Sequence, residues 1–182
     1  MPLPSFSLAT ADGSLHHFPT GRHALLCFVK EDCPTCVLSM PLIQAAAEAF
    51  GESIDIWCIG QDAEGNARLA ATFALAAPML DDSSLHVSYR YDLDTVPTII
   101  LADAIGDELD RFIGFGRSDW QALFQRLITV TLSPAPVIDW SRYPESRPGC
   151  GSKSVEPGIA ERLEAEMEGS PIRARRIDIG DS

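Results

Sequence analysis

The segment EDCPTCVLSMPLIQ, residues 31–44, sets two cysteines, Cys33 and Cys36, three positions apart, with Pro34 directly after the first. Pro41 follows five residues after the second. Such a pair can bind a metal, staple a fold or do redox chemistry. A structural zinc site usually takes four nitrogen or sulfur ligands, often as two spaced pairs. The chain has one CxxC among its five cysteines, the others being Cys27, Cys58 and Cys150. No metal and no other cofactor is therefore expected.

The flanking sequence points to redox chemistry. HALLCFVK (residues 23–30) is a continuous apolar run and predicts a buried strand. Helical spacing of Leu38, Leu42, Ile43, Ala46 and Phe50 predicts a helix over 34–50. Pro34 suits its first turn, where a missing N–H costs nothing, and Pro41 should kink it. The pair thus sits where a strand hands over to a helix. Cys33 is expected at the helix N-cap, where free N–H groups and the helix dipole favour a thiolate. A thiolate is the species that attacks a disulfide. Cys36, one turn further in, can then resolve the mixed disulfide. Glu31 and Asp32 oppose the thiolate by their charge, which argues for a reducing poise.

Outward from this point the chain alternates strands and helices. FSLATADGSLHHF reads as a hairpin turning at Asp12-Gly13. SIDIWCIG (53–60) is a second buried strand, QDAEGN a loop, ARLAATFAL a short helix, and APMLDD a lead into a helical turn at SSLHVSYRY. TVPTIILAD (95–103) and LDRFIGF (109–115) are strands joined by a short turn, hence antiparallel. Ser118 is expected to cap a last helix, DWQALFQRLITV. The expected fold is α/β, a central mixed sheet of four to five strands flanked by helices. The order implies parallel pairing in the first half.

With these elements the sequence resembles the thioredoxin fold, and most of all the TlpA/ResA-type (redoxin) thiol-disulfide oxidoreductases. The resemblance rests on Cys33-Pro34-Thr35-Cys36 after a buried strand, on Pro41, on Val96-Pro97-Thr98 as a cis-proline motif, and on the final strand pair and helix. It covers residues 1–130. It implies a protein-disulfide substrate, an upstream thiol reductant, and a site of Cys33, Cys36 and Pro97 supported by Pro34, Thr35 and Val96. Three positions depart from the family pattern. Asp32 stands where many members have Trp, Cys27 where thioredoxin has a buried aspartate, and Ser39 where ResA-type proteins have a glutamate. Both usual proton-handling acids are missing, and Cys27 becomes either a small buried hydrophobe or a thiol beneath Cys36.

Residues 131–182 read as an extended, proline-rich tail with a short helix at IAERLEAEMEG. Cys150 lies within it in RPGCGSKS, either an incidental cysteine or a third redox thiol exchanging with Cys33. Val137, Ile138, Trp140 and Tyr143 would pack on the domain if the tail steers Cys150 to the site; otherwise the tail serves to dock a partner protein or a second module.

The 182 residues carry a formal charge of −12, which repels nucleic acid and anionic membrane surfaces. No run approaches about 18 apolar residues, so no membrane span is expected. MPLPSFSLATADGS lacks the basic and apolar regions of a leader, so the expected location is cytoplasmic. A thiol peroxidase of the peroxiredoxin type is a weaker reading, because Leu26 and Lys30 stand where that class has a proline and a Thr or Ser. A non-catalytic thioredoxin-like docking module is the third.

Overall fold

In a computed structural model, residues 2–168 are described. The chain opens with a hairpin, β1 (Phe6–Ala9) and β2 (Leu15–Phe18). There follow β3 (Ala24–Val29), α1 (Pro34–Phe50), β4 (Asp55–Gly60), α2 (Ala63–Thr72), β5 (Met79–Asp81) and α3 (His86–Arg90). The second half holds β6 (Thr95–Val96), β7 (Thr98–Ala102), β8 (Glu108–Ile113), β9 (Phe115–Gly116) and α4 (Arg117–Thr131). Beyond α4 lie β10 (Ser146–Arg147), β11 (Cys150–Gly151) and α5 (Ile159–Glu168).

The central sheet has the order β5-β4-β3-β7-β8, parallel from β5 to β3 and antiparallel from β3 to β8. All six residues of β3 and all five of β7 are buried, as expected of central strands covered on both faces. On α1, Leu42, Ile43, Ala46 and Phe50 face the core. The helix runs unbroken through Pro41. The C-terminal end of β3 therefore delivers the chain straight into the first turn of α1, and the two cysteines stand at that junction.

Four elements differ from the sequence reading. Residues 61–66 are not all loop, because Asp62 caps α2 from outside, its Oδ2 accepting the Gly65 N–H at 2.7 Å. APMLDD is more than a lead into a helical turn: it holds β5, three residues long and too short to show a period. Ser118 is not a cap. α4 begins two residues earlier, at Arg117 after Gly116, without a side-chain cap. The Arg117 N–H is instead satisfied by Glu145 O at 2.9 Å, from the tail. The tail, finally, is folded against the domain as far as it is described. It pairs β10 with β9 and β11 with β6, both antiparallel, and ends in α5 beside α3. The acidic face of α5 is not merely solvated: Glu164 accepts from Tyr89 and Glu166 pairs with His86 and Arg162. PIRARRIDIGDS lies outside the described residues.

Candidate active site

Cys33 is the N-cap residue of α1, in extended backbone, and its Sγ accepts the Cys36 N–H at 3.3 Å. Pro34 occupies the first helical position, where it withdraws one N–H from the cap and leaves those behind it free for sulfur. Cys33 Sγ also lies 3.5 Å from Val96 O, the carbonyl that leads into Pro97, and the Val96–Pro97 peptide is cis. Cys36 sits one turn deeper, with the Lys30 N–H pointing at its Sγ from 3.4 Å. Cys33, Cys36, Thr35, Val96 and Pro97 are all buried.

The two thiols are driven apart in acidity. The Cys36 thiol, acting as a hydrogen-bond donor to Cys33, is the first reason that Cys33 falls from 9.0 to about 5. Burial opposes this, and the Cys150 thiol with the Cys36 and Thr35 backbone N–H groups outweighs it. Cys36 moves far upward, through burial first and then its bond and charge contact with Cys33. The environment thus favours the thiolate at Cys33 and the protonated form at Cys36, an arrangement in which one sulfur can attack while the other keeps its proton.

The remaining residues sort themselves by contact. Glu31 is neutralised by a bidentate pair with Arg68, at 2.6 and 2.8 Å, and Asp32 faces solvent 3.6 Å from Lys30. Neither is among the main groups that set the acidity of Cys33, and each charge is offset by a neighbouring cation. Cys27 stands opposite Cys58 across β3 and β4, and burial pushes both thiols up, Cys58 to about 12. Cys27 serves there as a small apolar residue, since the groups acting on Cys36 are Cys33, Lys30 and Cys150. Ser39 turns its hydroxyl back to Thr35 O at 2.9 Å.

The tail completes the site. Cys33 and Cys36 are both fully buried, and residues 145–154 pass over them as a strap. Cys150 pairs with Val96 and Gly151 with Thr95. The Thr35 hydroxyl donates to Pro148 O at 2.7 Å, and the Lys30 ammonium to Gly151 O at 2.8 Å. Gly149 must be glycine for reasons of space, because a Cβ there would fall 2.5 Å from both Val96 O and Thr95 Cγ2. Upstream, Ile138, Trp140 and Tyr143 pack on the domain, Tyr143 stacking on Phe115 at 5.7 Å and Trp140 lying 6.0 Å from Phe124, whereas Val137 is fully exposed. Gln61, Ser152 and Ser154, which the sequence reading passed over, form the strap's downstream anchor. The Gln61 amide donates to Ser152 Oγ at 2.7 Å and Ser88 Oγ at 2.9 Å and accepts the Lys153 N–H, while the Ser154 hydroxyl donates to Leu93 O. The one hint was a run of small polar residues, GSKS, directly after Cys150.

The sequence matches no family model and no curated protein. Solved structures do resemble it. A Chlorobium tepidum protein provisionally assigned as the thiol:disulfide interchange protein DsbE aligns with a TM-score of 0.63 at 24% identity, over 71% of this chain and 95% of its own. StoA from Bacillus subtilis aligns at 0.57 and 22%, over 66% and 98%. A thiol-disulfide oxidoreductase from Bacteroides fragilis aligns at 0.60 and 20%, over 69% and 99%. The chain has the thioredoxin fold. Each of these neighbours is matched nearly whole, whereas about three tenths of this chain lies beyond the match.

Proposed function

We propose that the chain is a thiol-disulfide oxidoreductase whose dithiol form attacks a disulfide of a protein substrate. The observation that carries the reading is the pair at the head of α1, Cys33 drawn down to about 5 and Cys36 pushed up beside it. At neutral pH Cys33 is a thiolate. It attacks one substrate sulfur, the other leaves as a thiol, and Cys36 then attacks Cys33 to close the Cys33–Cys36 disulfide and free the reduced substrate. An upstream thiol reductant restores the dithiol.

Run forward, this sequence of steps reduces the substrate. The thiolate that makes Cys33 a nucleophile also stabilises the reduced pair, which moves the couple toward the oxidising end of the range, so the reverse direction, oxidation of a substrate dithiol by the Cys33–Cys36 disulfide, is open to the same site. The names borne by the structural neighbours support the same chemistry. The lowered pKa of Cys33 would also suit a peroxidatic cysteine, but no hydroxyl-bearing residue or proline occupies positions 26 and 30.

The test is to mix the reduced protein with insulin. Loss of one insulin disulfide per chain, with one Cys33–Cys36 disulfide gained, is expected, and Cys36→Ser should accumulate a mixed disulfide at Cys33. Failure to transfer electrons, or brisk consumption of hydrogen peroxide in its place, sinks the reading.

A further inference from the structure

The strap lies across the active site as a short peptide added to an exposed edge. β11 pairs antiparallel with β6, in register Cys150 to Val96. Backbone pairing of this kind is how extended peptides bind a sheet edge. The edge in question ends at Val96 O, 3.5 Å from Cys33 Sγ. The register thus sets a cysteine of the tail beside the carbonyl that Cys33 Sγ approaches, and Cys150 and Cys33 each act on the acidity of the other. The seat is built for this residue. Gly149 passes where no Cβ fits, Pro148 O and Gly151 O on either side are held by Thr35 and Lys30, and Ser152 donates to Asp94 O at 2.9 Å. Cys33 and Cys36 are fully buried, while Cys150 keeps part of its surface open.

We infer that Cys150 is a third redox thiol, an internal stand-in for the substrate's sulfur, which forms a Cys33–Cys150 disulfide in the course of turnover. The inference rests on the reading of Cys33 as nucleophile. Two routes lead to this bond. In the first, the Cys150 sulfur attacks Cys33 of the Cys33–Cys36 disulfide. The Cys33–Cys150 bond forms, the Cys33–Cys36 bond breaks, and the proton released by Cys150 ends on Cys36, so no electrons are gained or lost. In the second, a mixed disulfide between Cys33 and an external thiol is resolved by Cys150 instead of Cys36, the external group leaving as a thiol. Cys36 returns the system by attacking Cys33 and releasing Cys150. Burial favours the protonated form of Cys36, and Cys150 is the less buried of the two. The strap therefore takes the place a substrate strand would occupy, and an incoming protein must displace it.

The test uses the full chain carrying Cys36→Ser, reduced and then treated with one equivalent of oxidised glutathione. Attack by Cys33 yields a glutathione adduct and one free glutathione. Resolution by Cys150 then yields a Cys33–Cys150 bridge and a second free glutathione. The expected result is that bridge as the main product, identified by peptide mapping with fragmentation. A second variant adds Gly149→Val, which the contacts at that position force off the edge. There the adduct should persist on Cys33 and the bridge should fall at least about tenfold, because a held thiol acts at a far higher effective concentration than a loosely tethered one. An adduct that persists in Cys36→Ser alone, with Cys150 reduced, overturns the inference and leaves the proposed function standing. So does an adduct that forms only in the Gly149→Val variant, where the strap would be a cover and nothing more. No adduct and no bridge in either variant removes the nucleophile and both readings with it.

Discussion

Cys33 and Cys36 are the same side chain at two depths, and depth with donor geometry separates them. Cys33 has Cys36 and Cys150 thiols and two backbone N–H groups to share its charge, whereas Cys36 has the Lys30 N–H alone against full burial. The ultraviolet thiolate band of the reduced protein should therefore titrate with a midpoint near the value of about 5 held by Cys33. Cys150→Ala removes one donor and should move that midpoint up; an unmoved midpoint would mean that Cys150 does not touch the thiolate. The same shift fixes a pH dependence of stability. Unfolded cysteine binds its proton up to about 8.5, while native Cys33 has lost it from about 5 upward. Between these values the unfolded state holds the extra proton, so the reduced protein gains stability as pH rises and loses it as pH falls through 5. Cys36 and Cys150, shifted upward, are protonated in both states across that window and add nothing to the slope. Urea midpoints of the reduced protein should climb from pH 5 to 8, and those of the Cys33–Cys36 disulfide form should lack this component.

At the scale of elements, the strap is held by bonds that can be removed singly. The Thr35 hydroxyl donates to Pro148 O at 2.7 Å, and Thr35→Val keeps the shape while deleting the donor. Opening of the strap should become easier by about 0.5–1.5 kcal/mol, and alkylation of Cys33 by iodoacetamide should quicken roughly two- to tenfold. An unchanged rate would show that reagent reaches Cys33 without the strap moving. The same scale explains what the sequence revealed. β3, α1 and β7 were legible because each carries a long apolar pattern with one reading, and the CxxC stood out because its spacing matches a helical turn. The Ser118 cap was misjudged because the true partner of the Arg117 N–H is a carbonyl 28 residues on, at Glu145. β5 and β11 escaped for a related reason: segments of three and two residues have no period, and their pairing is decided by the strands beside them. Cys27 illustrates the reverse. The position was legible as unusual for the fold, and its partner Cys58 follows from strand register alone. Cys27→Asp would bury a charge among apolar strands and should cost roughly 3 kcal/mol or more by urea denaturation.

Taken whole, the molecule is a thioredoxin fold whose own tail covers its candidate site, and one buried side chain ties the two parts together. Gln61 sits at the end of β4, 3% exposed. Its amide nitrogen bonds to Ser88, whose own hydroxyl and N–H hold the buried Asp82 carboxylate at 2.6 and 2.8 Å, and to Ser152 of the strap. Its oxygen receives the Lys153 N–H at 2.9 Å. Gln61→Ala leaves these partners buried and short of a bond, which costs about 1–3 kcal/mol. The loss should fall unevenly. The upstream half of the strap keeps its pairing with β9 and its aromatic contacts at Trp140 and Tyr143, and the central sheet loses nothing. Amide exchange in the Gln61→Ala protein should therefore quicken at Ser152, Lys153 and Ser154, with little change in β3 and β7, whose amides open only with the whole domain. Uniform acceleration across strap and sheet alike would mean that the strap and domain unfold as one unit, and that an incoming substrate could not lift the strap without melting the fold beneath it.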